Sequence, residues 1–340
     1  MKIKVLLVDD SPTVRAVLRR VFAPHPELTV VGEAANGREA IDLLLKFRPD
    51  VILMDVEMPV MDGFEAIEQI MRLHPTPILV LTSRTQYNHL ATAFEAIRRG
   101  ALDVLPKPEA PEAWAELTER LPHLVRTLAS RGRPEPACKP YEKPPRTQPR
   151  GIDLILVGAS TGGPGALRSF LANLPPALPA PVAVVQHITP GFEDGLARWL
   201  ADATDRDVRV LKNPEIPPPR GVRVAPATAH MVVDSSGVLT LDRTTPPRRG
   251  HCPSVDVLFQ SALAFRPSKT AAVLLSGMGD DGAQGLLALQ NAGALTAVQD
   301  EASSAIFGMP RQALKLGAAE VALPPEELAR FIADAWKGAE

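Results

Sequence analysis

Short apolar runs alternate along this chain with amphipathic stretches of helical period, and the pattern occurs twice. In the first series, Val5–Val8, Thr29–Glu33, Val51–Met54, Ile78–Leu81 and Asp103–Leu105 read as strands, with helical patterns such as Ser11–Phe22 and Gly37–Lys46 between them. Strands that alternate with helices specify a parallel sheet covered on both faces. Trp114, Leu117, Leu121, Leu124 and Leu128 then share one face of a further helix. The second series has strand-like runs at Ile152–Val157, Val182–Gln186, Val222–Ala225 and Ala271–Leu275, with helical runs at Gly163–Asn173 and Gly282–Asn291. Between the two lies RGRPEPACKPYEKPPRTQPR, Arg131 to Arg150, rich in Pro, Lys and Arg and nearly free of large apolar residues. Such a composition makes an extended linker.

The expected fold is therefore α/β throughout. A flavodoxin-like domain spans residues 1–130, a Pro-rich linker 131–151, and a doubly wound parallel-sheet domain 152–340. A length of 340 residues suits two domains of ordinary size. The net charge of -2 argues against a nucleic-acid-binding surface over the whole chain. Cys138 and Cys252 are far apart and form no metal-ligand pattern, so a reduced, cytoplasmic protein without disulfides is expected. The opening apolar run, Ile3–Val8, is too short for a signal peptide or a membrane span, and no membrane insertion is expected.

Each series carries its own chemistry. In a parallel α/β sheet, residues after the strand C-termini converge on one edge. Asp9, Asp10 and Asp55 all stand at such ends. Three crowded carboxylates repel and call for a cation, and hard oxygen ligands suit Mg²⁺. Lys107, placed after the last run, has an ammonium that can neutralise a phosphoryl group on this edge, and Thr82 can donate a hydroxyl to it. In the second series, Gly158-Ala159-Ser160-Thr161-Gly162 follows a strand and opens a helix, which exposes a serine hydroxyl on a sharp turn. Serine needs a base to take its proton. His187 follows Val182–Gln186, and an acid in Gly277-Met278-Gly279-Asp280-Asp281-Gly282 can orient that imidazole. The backbone around Met278 is a candidate oxyanion donor. A rival from another class is a dinucleotide-binding turn at Gly158–Gly165. It wants G-x-G-x-x-G, and Ser160 replaces the central glycine. His25, His74, His89 and His123 read as solvated. His251 is a candidate for a pocket wall, and Cys252 reads as a small packing residue.

The first domain, through VDDS, MDVEMPVMDGFE, LTS and KP, resembles the receiver domain of two-component response regulators. The resemblance implies that Asp55 accepts phosphate from a histidine kinase. It also implies that Asp9, Asp10, Asp55 and the backbone carbonyl of Glu57 hold Mg²⁺, and that Thr82 and Lys107 read the phosphoryl group. The second domain, through VGASTGGPGAL, VVQHITPGF, HCPSVDVLF, VLLSGMGDDGAQG and VQDEASSAIFGMPRQAL, resembles the catalytic domain of chemotaxis protein-glutamate methylesterases. That resemblance implies Ser160 as nucleophile, His187 as base and Asp281 as orienting acid, with no role for Asp280. It implies hydrolysis of glutamate γ-methyl esters and deamidation of glutamines on chemoreceptor helices, with no cofactor in this domain. The implied partners are a chemotaxis histidine kinase and methylated receptor helices, and the chain is expected to be a monomer. Cys252 stands where that family often has Arg, and Ile188-Thr189 where it often has Met-Pro, so substrate preference is less constrained than chemistry. The alternative is a protein of the same architecture that acts on, or only binds, a different receptor-like partner.

Overall fold

The computed structural model describes residues 2–83, 90–108, 111–129 and 151–337. The linker with Cys138, and His89, lie outside the described residues. The chain divides into two compact units, Met1–Pro134 and Glu135–Glu340.

The first unit runs β1 (Ile3–Val8), α1 (Pro12–Phe22), β2 (Leu28–Ala34), α2 (Gly37–Phe47), β3 (Val51–Met54), α3 (Gly63–Leu73), β4 (Ile78–Ser83), α4 (Leu90–Arg99), β5 (Asp103–Lys107) and α5 (Pro111–Ala129). Its five strands form one parallel sheet in the order β2-β1-β3-β4-β5. All four residues of β3 are buried, as a central strand covered on both faces requires. Capping residues set where the helices start. Ser11 accepts from the Val14 amide, Asn36 from Glu39 and Asp62 from Glu65. Ala40, Ile41 and Leu44 of α2 and Ala66, Ile67 and Ile70 of α3 pack together on Leu6, Val8, Ile52 and Met54 of the sheet. β4 and β5 extend beyond their apolar runs because Thr82 still pairs with Pro106 and Ser83 with Lys107. Pro106 is tolerated because β5 is an edge strand.

The second unit contains β6 (Leu154–Ala159), α6 (Gly163–Asn173), β7 (Val182–Gln186), α7 (Glu193–Thr204), β8 (Val208–Val210), β9 (Val222–Val224), β10 (His230–Val233), β11 (Leu239–Asp242), α8 (Val255–Ser261), β12 (Thr270–Leu274), α9 (Ala283–Asn291), β13 (Leu295–Gln299), α10 (Met309–Lys315), β14 (Val321–Leu323) and α11 (Pro325–Lys337). Seven strands form a parallel sheet in the order β14-β13-β12-β6-β7-β9-β8, and β10 and β11 make a separate antiparallel hairpin. β6 begins at Leu154, not Ile152, because pairing starts there, against Thr270. From β6 the chain builds outward through β7 to one side and returns at β12 on the other. The crevice at that reversal is where ligands bind in open α/β sheets. Phe259, Leu258 and Val255 of α8 pack with Leu286 and Leu289 of α9 over Leu156 and Leu274 of the sheet.

Candidate functional site

On the first sheet, Val8 pairs with Met54, so Asp9 and Asp55 leave adjacent strands side by side. Carboxylate oxygens of Asp9, Asp10 and Asp55 lie within 4.8 Å of one another. Asp9 and Asp55 are buried and Asp10 is exposed. Lys107 Nζ stands 2.7 Å from Asp9 Oδ2 and 2.6 Å from Asp55 Oδ2. The Val56 amide donates to Asp55 Oδ1 at 2.7 Å. Burial pushes Asp55 up to about 6, overriding Lys107 and assisted by the Asp9 charge. Burial works against the Lys107 charge too, yet the two carboxylates hold its pKa above the ordinary lysine value. One ammonium among three carboxylates leaves excess negative charge. Glu57 and Asp10 both border a cavity of about 430 Å³ beside the cluster. Thr82 is buried at the end of β4, next to β3.

On the second sheet, Ala159 pairs with Gln186, so Ser160 and His187 are the next residues on neighbouring strands. The His187 amide donates to the Ala159 carbonyl at 2.9 Å, and the Ser160 amide to the Ser276 carbonyl at 3.0 Å. Asp281 follows β12, on the other side of β6. Its Oδ2 lies 2.9 Å from His187 Nε2. Ser254 Oγ donates to Asp281 Oδ1 at 2.8 Å, and the amides of Val255 and Asp256 donate at 2.7 and 3.1 Å. Burial alone would raise this acid. The His187 hydrogen bond and charge, joined by the two amides, prevail and hold it at about 2. Asp280 is turned outward and pairs with Arg249. An ionised Asp281 on Nε2 places the ring proton there and leaves a lone pair on Nδ1. Nδ1 is buried and makes no hydrogen bond. Nucleophile–base contacts commonly close only when substrate binds.

Gly277, the neighbour of Met278, packs against Ser160. A Cβ built on Gly277 would stand 2.8 Å from Ser160 Cβ and 2.2 Å from Met309 Sδ, so no larger residue fits. Several contributors were not evident in the sequence. Gln186 Nε2 donates to the carbonyls of both Ser160 and His187, at 2.8 and 3.0 Å, and so ties the two strand ends together. Ser254 caps α8 while it donates to Asp281. Ser276 Oγ donates to the Thr161 carbonyl at 2.8 Å. Only the position of Gln186 beside His187 hinted at its part. The serines depend on contacts between segments far apart in the chain. His25, expected to be solvated, is half-buried, and its Nδ1 lies 2.9 Å from Arg126 Nη2. His74 Nδ1 lies 3.1 Å from Thr76 Oγ1.

Two parallel α/β units, one with an acidic strand edge and one with Ser, His and Asp on three central strand ends, define a response regulator coupled to a hydrolase-like domain. Sequence profiles agree: a response regulator receiver domain matches residues 5–119, and the CheB methylesterase profile matches residues 155–332. The chain belongs to the CheB methylesterase family. A protein-glutamate methylesterase/protein-glutamine glutaminase of Anaeromyxobacter dehalogenans is 42% identical over 338 residues, covering 97% of this chain and 98% of the relative. One from Nitrosospira multiformis is 38% identical, covering 96% and 95%. The crystal structure of the Thermotoga maritima CheB methylesterase catalytic domain superposes with a TM-score of 0.51 at 32% identity, covering 54% of this chain and 98% of that one.

Proposed function

We propose that this chain hydrolyses glutamate γ-methyl esters on chemoreceptors, and deamidates receptor glutamines, under control of phosphorylation at Asp55. The observation that carries the chemistry is the His187–Asp281 pair on the strand ends flanking Ser160. In this mechanism Ser160 Oγ attacks the ester carbonyl while His187 Nδ1 takes its proton. Asp281, ionised down to about pH 2, steadies the imidazolium. Backbone amides, with Met278 as the candidate, hold the oxyanion. The proton on Nδ1 passes to the departing methoxide and methanol leaves. Water, deprotonated by the same nitrogen, then releases the glutamate. With a glutamine substrate the leaving group is ammonia.

In the first unit, the clustered carboxylates of Asp9, Asp10 and Asp55 are hard-oxygen donors that fit Mg²⁺, and we assign the backbone carbonyl of Glu57 as a further ligand. When bound, the ion supplies positive charge for the phosphoryl oxygens. Asp55 is the phosphoacceptor for a chemotaxis histidine kinase. Lys107, already on Asp55, pairs with the added charge, and Thr82 donates to it. We assign residues 1–130 to the receiver, 131–151 to the linker and 152–340 to the catalytic domain. We assign the enzyme to the cytoplasm, where receptor tails lie; among the described residues no helix is long and apolar enough to cross a membrane.

Ser160→Ala tests the serine mechanism. The variant folds and loses methanol release from a methylated receptor by several orders of magnitude. Turnover near the wild-type rate would eliminate this mechanism.

A further inference from the structure

The His251 ring lies face to face with His187, with centroids 4.1 Å apart and planes 4° from parallel. We propose that His251 is a positioning residue that fixes the plane of the catalytic imidazole, an inference that rests on the assignment of His187 as the base. The restraints on His187 show why one is needed. Its amide is tied to the Ala159 carbonyl, which fixes the backbone. Its Nε2 is tied to Asp281 Oδ2 at 2.9 Å, which fixes one ring atom. A single hydrogen bond leaves the ring free to tilt about that contact. Nδ1, the nitrogen that must reach Ser160, has no hydrogen bond of its own. A flat face against the ring supplies the missing restraint.

His251 is itself well placed to do this. It belongs to the turn in which Arg248 and His251 exchange both backbone hydrogen bonds, at 3.0 and 2.9 Å. That turn is anchored by Arg248 to Gln260 of α8, while Arg249 reaches Asp280, the neighbour of Asp281, in an exposed ion pair. Three residues after His251, Ser254 donates to Asp281. The stacking ring and the orienting acid lie on separate segments joined through Ser254, so the His187 ring is held at its edge and on its face by parts tied to one another. The role needs a flat ring and not an ionisable one. It also differs from substrate contact, because the face it uses is the one turned to His187.

Three variants of the full chain separate these roles, read as methanol release from a methylated receptor with a phosphodonor present. His251→Ala and His251→Gln are expected to lower kcat about 10- to 100-fold, the scale of a small misplacement of a catalytic group, with KM within about twofold. His251→Phe, flat but not ionisable, restores kcat to within about threefold. If Phe loses as much as Gln, the imidazole acts chemically and the positioning role is wrong. A loss expressed mainly in KM makes His251 a substrate contact and also overturns it, as does unchanged kcat in all three. Far-UV circular dichroism checks folding, and if the Ala protein fails to fold, the contrast between Gln and Phe still decides. Ser160→Ala run alongside keeps the two readings apart. Its survival removes the catalytic assignment itself, whereas an inactive Ser160→Ala with a different His251 ranking removes only this inference.

Discussion

At the residue scale, the two adjacent acids after β12 give the sharpest contrast. Asp281 accepts only from donors: His187 Nε2 and the Val255 amide at Oδ2, Ser254 Oγ and the Asp256 amide at Oδ1. An asparagine there puts an NH₂ group against donors whichever way it is turned. Asp281→Asn is therefore expected to lose both activity, by orders of magnitude, and stability, by about 1–3 kcal/mol for the mismatched buried donors. Asp280→Asn breaks only an exposed ion pair with Arg249, worth about 0–1 kcal/mol, and keeps most of the rate. Methanol release and urea midpoints of the two proteins test this, and the reverse ranking would show that the acid is misassigned. The depressed pKa of Asp281 adds a pH signature. Its contribution to stability is present above the ordinary carboxylate range and is lost as pH falls through about 2, the sign for an acid stabilised in the folded state. Asp281→Asn should flatten the stability profile over that acid range, and a variant as acid-sensitive as the parent would show that this carboxylate is not responsible. The motif register already picked Asp281 over Asp280. The three donors at the start of α8 were not legible, because α8 is distant in sequence and only the tertiary fold brings Ser254, Val255 and Asp256 to the acid.

At the scale of elements, what could be read from sequence followed from periodicity. Strands of four to six apolar residues, such as β3 and β7, stood out because a central parallel strand is apolar on both faces. β8 and β14, three residues each, are too short to show a period, and β10–β11 pair as a hairpin outside the main sheet. β13 (Leu295–Gln299) was obscured by Thr296 within it and by the apolar run that precedes it from α9. The start of α3 shows an element serving a site. The Gly63 amide donates to the Val56 carbonyl at 2.8 Å, and a Cβ on Gly63 would fall 2.1 Å from the Asp55 carbonyl oxygen. Backbone cannot step aside there as a flexible side chain would. Gly63→Ala is expected to destabilise the first unit by about 1–3 kcal/mol, the usual cost of overpacking, and to displace Asp55. Its phosphorylation by a small-molecule phosphodonor should fall severalfold. Wild-type labelling together with an unchanged melting temperature would refute the idea that α3 docks this tightly on the loop that carries Asp55.

At the scale of the whole molecule, two chemistries share one chain, each on the edge of its own sheet and each supported by its own core. The class of each unit was legible because its motif residues sit at strand ends, where parallel topology alone gathers them. How one unit speaks to the other was not, because a Pro-rich linker carries no pattern that names a partner surface. Being parts of one chain, the two units have a raised effective concentration for each other, so even a weak mutual affinity would be well populated. Phosphorylation at Asp55 adds about −1.5 to −2 charges. A change of about 1–3 kcal/mol in that affinity would alter activity about 5- to 150-fold. The expected outcome is that the unphosphorylated receiver restrains the esterase. Three proteins check this: the full chain, the full chain with Asp55→Asn, and a fragment from Gly151 onward. The second unit's own compact core supports a folded fragment. The fragment should release methanol without a phosphodonor as fast as, or faster than, the phosphorylated full chain. The Asp55→Asn protein should stay slow with a phosphodonor. A fragment no faster than the unphosphorylated full chain would exclude restraint and leave the receiver to act by recruitment or direct activation, whereas a fast Asp55→Asn protein would mean that control does not run through Asp55.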